Sequence, residues 1–176
     1  VGNKAGGARK AGRIHECGSR EVRRYEDVPE TKARQEQVLV RVKACALNNI
    51  DLWIRKGLQG VTLPHKRGAD IAGVIADAGD YVTGFKPGQR VLLAPMHFCN
   101  HCARCEAGLQ HLCPEFTVLG NRVVGGHCEL IAVTACTELP IPAALAFTHA
   151  AGHHTSFTAL RELPSGRPQL SLDDRG

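Results

Sequence analysis

Cys99-Asn100-His101-Cys102-Ala103-Arg104-Cys105, followed by Cys113-Pro114, gathers four thiols spaced two, two and seven residues apart. Thiolates this dense repel one another unless a soft cation neutralises them, and a tetrahedral metal is the simplest resolution. His101, Arg104, Gly108 and His111 keep the intervening loop polar and turn-rich, so its burial is expected to come from a metal and not from an apolar core of its own. The stretch therefore reads as a closed structural zinc lobe over residues 97–115, holding one zinc per chain on Cys99, Cys102, Cys105 and Cys113.

Three other readings compete. An iron-sulfur run begins with the same Cys-x2-Cys-x2-Cys and ends in Cys-Pro, but it needs three residues before the last cysteine, where this chain has seven. Disulfides between such close neighbours would close strained small loops, and no secretory signal precedes them. Four cysteines without metal would be a rare accident at this regularity. With all four positions of the ion filled by sulfur, no site is left for water or substrate, so the metal would hold structure and do no chemistry.

Outward from the lobe, the chain reads as short strands. Gln37 to Cys45 alternates branched apolar residues with mixed ones, a good strand. Asn48 to Lys56 changes period, with Ile50, Trp53 and Ile54 at helical spacing and Gly57 placed to stop the helix in the left-handed conformation. Glycines 68, 73, 79, 84 and 88 punctuate two brief apolar runs, Ile71 to Ala76 and Val91 to Ala94, which suggests a compact barrel. Phe116 to Leu119, Glu129 to Val133 and Thr137 to Pro140 continue in strands, a weaker strand signal lies around Glu21 to Tyr25, and helix is favoured from Pro142 and again over Thr155 to Leu163.

With 43% hydrophobic and 22% charged residues over 176 positions, the composition is that of one ordinary globule. The formal charge of +5 is concentrated before residue 35, and one Trp, two Tyr and five Phe give no basic-aromatic pattern for stacking on bases, so nucleic acid is not expected as a partner. No apolar run reaches the 18 or so residues of a membrane helix, and the start has no apolar signal core, which predicts a cytoplasmic protein with no membrane partner. Residues 1–13, rich in Gly, Ala and basic side chains, are expected to form a flexible basic arm. Residues 164–176 read as a loop-like tail without a glycine-rich strand-to-helix turn for a dinucleotide pyrophosphate.

Several segments taken in order resemble the medium-chain, zinc-type alcohol dehydrogenase superfamily, and within it the N-terminal GroES-like catalytic domain. They are Tyr25 to Pro29, the strand Val38 to Ala44, Leu47 to Gly57, Gly68-Ala69-Asp70-Ile71-Ala72-Gly73, Gly84 to Val91, the four-cysteine lobe, Gly125 to Leu130 and Thr155 to Leu160. The resemblance covers residues 14–163 and implies a mainly β protein with short helices, a GroES-like β-barrel with a protruding structural zinc lobe. In such proteins a Rossmann domain follows and binds most of the nicotinamide cofactor, NADP or NAD; none is read in this chain, which would supply one wall of the cleft. The chain is thus expected to be truncated before that domain and inactive alone.

Members with a catalytic zinc have Cys where this chain has Asn48, and Gly-His-Glu where it has Gly68-Ala69-Asp70. An amide is a feeble zinc ligand and an alanine is none, so a catalytic zinc is not expected. The Leu-Asn-x-x-Asp-x-x-x-Arg-x-Gly pattern resembles the quinone oxidoreductase-like branch, in which hydride passes between NAD(P)H and a quinone, enone or carbonyl substrate without metal assistance. By that resemblance Asn48 would offer amide donors to a small-molecule substrate or to the nicotinamide, Asp51 would fix the helix start and nearby polar groups, and Thr155 and Thr158 would approach the nicotinamide. A helix cap at Asn48 and Asp51 is an equal reading of the same residues. Arg55 reads as a structural charge, His153-His154 as surface, and Cys17, Cys45, Cys128 and Cys136 as inert core thiols. His65, His97 and His127 show no partner at ligand spacing. Lys10 to Ile14 is less apolar than the family's first strand, and Arg23 stands where the family prefers an apolar residue. The rival function is a stand-alone zinc-stabilised binding module, and a homo-oligomer is compatible with either.

Overall fold

The computed structural model of the chain describes residues 9–135 and 138–153. In chain order its strands and helices are β1 (Arg9–Ile14), β2 (Arg23–Val28), β3 (Gln37–Ala46), α1 (Asn49–Lys56), β4 (His65–Lys66), β5 (Asp70–Ala78), β6 (Arg90–Leu93), β7 (Met96–His97), α2 (Ala103–Glu106), β8 (Thr117–Val118), β9 (Leu130–Thr134), β10 (Glu138–Pro140) and α3 (Phe147–Gly152). This is the mainly β architecture with short helices that the sequence predicts. Among the described residues no helix is long and apolar enough to cross a membrane.

One antiparallel sheet runs β10-β6-β5-β3-β9, and a smaller one runs β2-β1-β4. The period of two along the strands divides the core. Val38 and Val40 of β3, Ile71 and Ile75 of β5, Val91 and Leu93 of β6 and Ile131 of β9 share one buried cluster. Ala72 and Leu92, one residue out of phase, face the other way and pack with Ala150 and Ala151 of α3. Small side chains on both partners let α3 sit close to the sheet, and Arg90 anchors it with its guanidinium 4.1 Å from the centre of the Phe147 ring. The two sheets meet where Gly12 donates to the His127 carbonyl at 2.7 Å and Glu129 donates to that of Lys10 at 3.0 Å.

The strand β1 begins at Arg9, inside the stretch read from composition as a flexible arm. Its charges have partners that composition does not reveal. Arg9 pairs with Glu30 at 3.5 Å, Lys10 with Asp27 at 2.9 Å and Arg13 with Glu26 at 3.1 Å, while Ala11 and Ile14 are fully buried. Arg20–Val22 is a 3-10 turn ahead of β2, not part of a strand, and the helix predicted from Pro142 starts only at Phe147. Cys17 is exposed, so it is not the core thiol expected, whereas Cys45 and Cys128 are partly buried. Burial pushes the Cys45 thiol up to about 12 and raises that of Cys128, which keeps both unreactive. Cys136, His154, Thr155, Thr158 and the tail 164–176 lie outside the described residues.

Candidate metal centre and cleft

The pair β7 and β8, in register Met96 to Val118 and His97 to Thr117, forms the neck of the cysteine lobe. Beyond it the chain holds little apolar burial: Leu109 and Leu112 are exposed, and Cys105 and Cys113 are the lobe's buried side chains. Asn100 takes a φ of 66°, a left-handed position that Asn tolerates, and it turns the backbone between Cys99 and Cys102. The His101 Nδ1 then donates to the Cys99 carbonyl oxygen at 2.7 Å, which raises the pKa of that imidazole.

The four Sγ atoms all lie within 4.8 Å of one another. Cys113 is 3.6 Å from Cys99, Cys99 is 3.9 Å from Cys105, and Cys102 is 4.0 Å from Cys113. Four sulfurs about 2.3 Å from one tetrahedral ion stand about 3.8 Å apart, so the spacing fits a single zinc and is far too long for disulfides. An iron-sulfur cluster divides the cysteines among two or more irons and spreads the thiolates wider. The backbone is already turned toward negative sulfur. The Cys105 main-chain amide draws the Cys102 thiol down to about 7, and the Glu115 amide donates to the Cys113 sulfur at 3.4 Å. Burial pushes Cys105 the other way, to about 12. Only a cation lets all four be thiolates together. The site fits zinc held by Cys99, Cys102, Cys105 and Cys113.

A separate cleft of about 610 Å³ opens at the N-terminus of α1. Asp51 organises it from within, being 1% exposed although charged. Its Oδ2 accepts the Asn48 main-chain amide at 2.9 Å, the carboxylate half of a capping box, and its Oδ1 accepts the Gly68 amide at 2.9 Å. One carboxylate thus ties the start of α1 to the turn before β5. Gly68 must be glycine for this turn: its φ is +100°, and a Cβ would stand 2.7 Å from the Cys45 sulfur and from the His127 ring. The Asn48 side chain, exposed at the helix start, donates to Asp70 Oδ2 at 3.2 Å across the cleft. Gly57, with φ 110°, closes the helix by donating to the Ile54 carbonyl.

Of the residues singled out in the sequence, Asn48 and Asp51 meet in this cleft, the four cysteines meet in the lobe, and the two sites are separate. Asp70 and Arg67 line the cleft too, and sequence reasoning passed over both. Asp70 enters the sequence reading only as part of Gly68-Ala69-Asp70, where a metal ligand is missing, and Arg67 does not enter it. The signal that could have found Arg67 is a charge directly before the glycine of Gly68-Ala69-Asp70, at the mouth of a buried strand. His127 also lines the cleft, with burial lowering its pKa while Asp51 works against the shift. Ala69 is buried and offers no donor. Among the described residues, the groups of metal-ligating side chains all belong to the cysteine lobe.

A family model described as the alcohol dehydrogenase GroES-like domain matches residues 34–143. The L-threonine 3-dehydrogenase of Xanthomonas axonopodis pv. citri (strain 306) is 31% identical over 125 residues, which are 66% of this chain and 36% of that protein. The chain spans about a third of the length of the curated relatives it matches. A crystal structure of an NAD-dependent alcohol dehydrogenase superposes with a TM-score of 0.77 at 38% identity, over 81% of this chain and 42% of the other. A cobalt- and zinc-bound thermostable alcohol dehydrogenase from Pyrobaculum aerophilum gives 0.74 at 26%, over 82% and 44%.

Proposed function

Since the chain belongs to the zinc-type alcohol dehydrogenase family, of which residues 34–143 are the GroES-like domain, we propose that it forms one wall of an oxidoreductase cleft. The reaction is NAD(P)H-dependent hydride transfer to the carbon of a carbonyl, enone or quinone, with a structural zinc in the lobe and none in the cleft. The observation that carries this reading is the pair Asn48 and Asp70, 3.2 Å apart in the cleft beside Ala69. An amide, one carboxylate and a methyl make a poor zinc set but a workable oxygen site.

A nicotinamide cofactor, when bound, supplies a hydride with its two electrons and is itself oxidised. The chain's own residues do the rest. Asn48 carries two N–H donors on Nδ2; one is engaged by Asp70, which orients the amide, and the other is left to donate to the substrate oxygen as it gains charge. Asp51 is a positioning residue, because both its oxygens are taken by main-chain amides and it sets where Asn48 stands. In the lobe, Cys99, Cys102, Cys105 and Cys113 would hold zinc with no position open to substrate.

The test is the Asn48→Ala variant of the chain joined after Leu163 to the dinucleotide-binding domain of a relative. Loss of one comparable oxyanion donor costs about 100- to 1000-fold in kcat. Turnover of an enone or quinone should fall by that order and should be insensitive to chelator while the lobe stays folded. Unchanged turnover would reduce Asn48 to a helix cap, and activity regained only with added zinc would put a metal in the cleft.

A further inference from the structure

The cleft carries positive charge that transfer of hydride to a neutral carbonyl does not use. Four arginines, Arg20, Arg23, Arg55 and Arg67, line it against two aspartates. Arg20 is turned to Glu21 at 2.9 Å. Asp51 is spent on main-chain amides and Asp70 accepts from Asn48. The other three guanidiniums are each held by a neutral carbonyl: Arg23 by Arg20 at 2.9 Å, Arg55 by Gly18 at 2.6 Å, and Arg67 by Asp51 at 3.0 Å. The ion pairs among the described residues leave all three out.

Arg67 is the decisive one. It is 6% exposed, and its Nε is enclosed without a hydrogen-bond partner. A buried guanidinium with an open donor is costly unless an anion completes it, and Arg stays charged at any ordinary pH. Burial lowers its pKa and Asp51 opposes the shift, whereas Arg23 and Arg55 add to the lowering, so the three charges feel one another. A planar fork that approaches a cavity beside two more guanidiniums is the donor set that carboxylates and phosphates fit.

We propose that this cleft takes a substrate bearing an anionic group, a carboxylate or a phosphoryl group, which Arg67 grips from the floor while Arg23 and Arg55 grip it from the rim. The word substrate rests on the oxidoreductase reading above; the binding of the anion does not. The anion orients the molecule so that its carbonyl meets Asn48, which stands in the same cleft.

The experiment is titration calorimetry on the zinc-loaded 176-residue chain at constant ionic strength, with malonate, inorganic phosphate and neutral glycerol as probes. At least one anion should bind and glycerol should not. Because a hydrogen bond to a charged group is worth roughly 1.5 to 3 kcal/mol, Arg23→Met and Arg55→Met should each weaken binding by about tenfold or more. Arg55→Lys should recover part of the loss. Arg67→Met should abolish binding; if that variant does not fold, the two rim variants decide alone, Arg23 being exposed. Malonate alone binding assigns a carboxylate, phosphate alone a phosphoryl group. No binding of either anion at millimolar concentration, or equal binding by both rim variants and the parent chain, overturns the proposal. So does displacement of the bound anion by NADP+, which would make the arginines a cradle for cofactor phosphate. Anion binding lost while the Asn48 test succeeds defeats only this inference, and the reverse defeats only the oxidoreductase reading.

Discussion

Cys113 Sγ lies 3.6 Å from Cys99 Sγ, although the two stand fourteen positions apart in the chain. The loop between them has only Cys105 buried, so nothing apolar holds its ends together. The pairing of β7 with β8 brings the ends of the lobe near, and the closeness of the sulfurs beyond it fits a shared cation.

One zinc per chain is the expected outcome, read by elemental analysis of the purified protein. Iron with a visible charge-transfer band, or two zincs, would contradict the geometry. Structural zinc contributes roughly 10 to 16 kcal/mol in small peptides that have no other core. Here the clusters around Val40 and Leu92 exist without it. Cys102→Ser should therefore expose the lobe to protease while the strands keep their amide protection in hydrogen exchange.

Asp51→Asn tests the cleft floor. The carboxylate accepts two main-chain amides while almost wholly buried, and an asparagine in its place offers one accepting oxygen and a misplaced donor. An unsatisfied buried amide costs about 1 to 3 kcal/mol, so urea denaturation should show a loss of that order. A loss below about 0.5 kcal/mol, within the range of ordinary surface substitutions, would mean that water reaches the floor of the cleft.

The cysteine lobe was legible because metal ligation is local: ligand type and spacing lie within one short stretch. The strands β3, β5 and β6 were legible from local signals too, β3 because burial alternates through Val38 and Val40, and β5 and β6 because each is a brief apolar run preceded by a glycine. The strand β1 was not, because its charges are balanced by Glu26, Asp27 and Glu30, and cross-strand pairing leaves no local mark. The cleft falls between these cases. Asn48 and Asp51 announce a helix start, but Asp70 and Arg67 reach it from another strand and turn, and only the antiparallel pairing of β3 with β5, Ala46 opposite Asp70, brings them together.

Gly68→Ala should be severely destabilising. The residue has φ +100°, and the new methyl would press on the Cys45 sulfur and the His127 ring at 2.7 Å and on the His127 amide at 3.0 Å. Left-handed strain alone costs about 1 to 3 kcal/mol, and the overlap adds to it. Gly84→Ala is the control. Its φ of +87° carries the same strain, but its Cβ would meet nothing within 4 Å. The difference between the two variants in urea denaturation isolates the close packing, and equal losses would show that the turn has room.

His65 supplies a pH dependence whose sign follows from its surroundings. The ring is 4% exposed, and its Nε2 lies 2.9 Å from the Gly120 carbonyl oxygen, an acceptor, so this nitrogen bears the proton and the neutral ring donates. Burial lowers its pKa, and Arg67 and Lys66 lower it further against the pull of Gly120. With the folded value below the unfolded one, about 6.5, the unfolded chain takes up the proton first as pH falls. The stability that His65 contributes is therefore complete above about pH 6.5 and is lost as pH drops through the folded value. Carboxylates and zinc-bound thiolates titrate in the same acid range, so the parent chain alone does not report on His65. Comparison with His65→Gln, which keeps a side-chain N–H donor and cannot be protonated, removes those shared contributions. The parent should lose stability relative to the variant between pH 7.5 and 5.5, and a gap between them that stays constant over that interval would mean that the imidazole is already solvated in the folded chain.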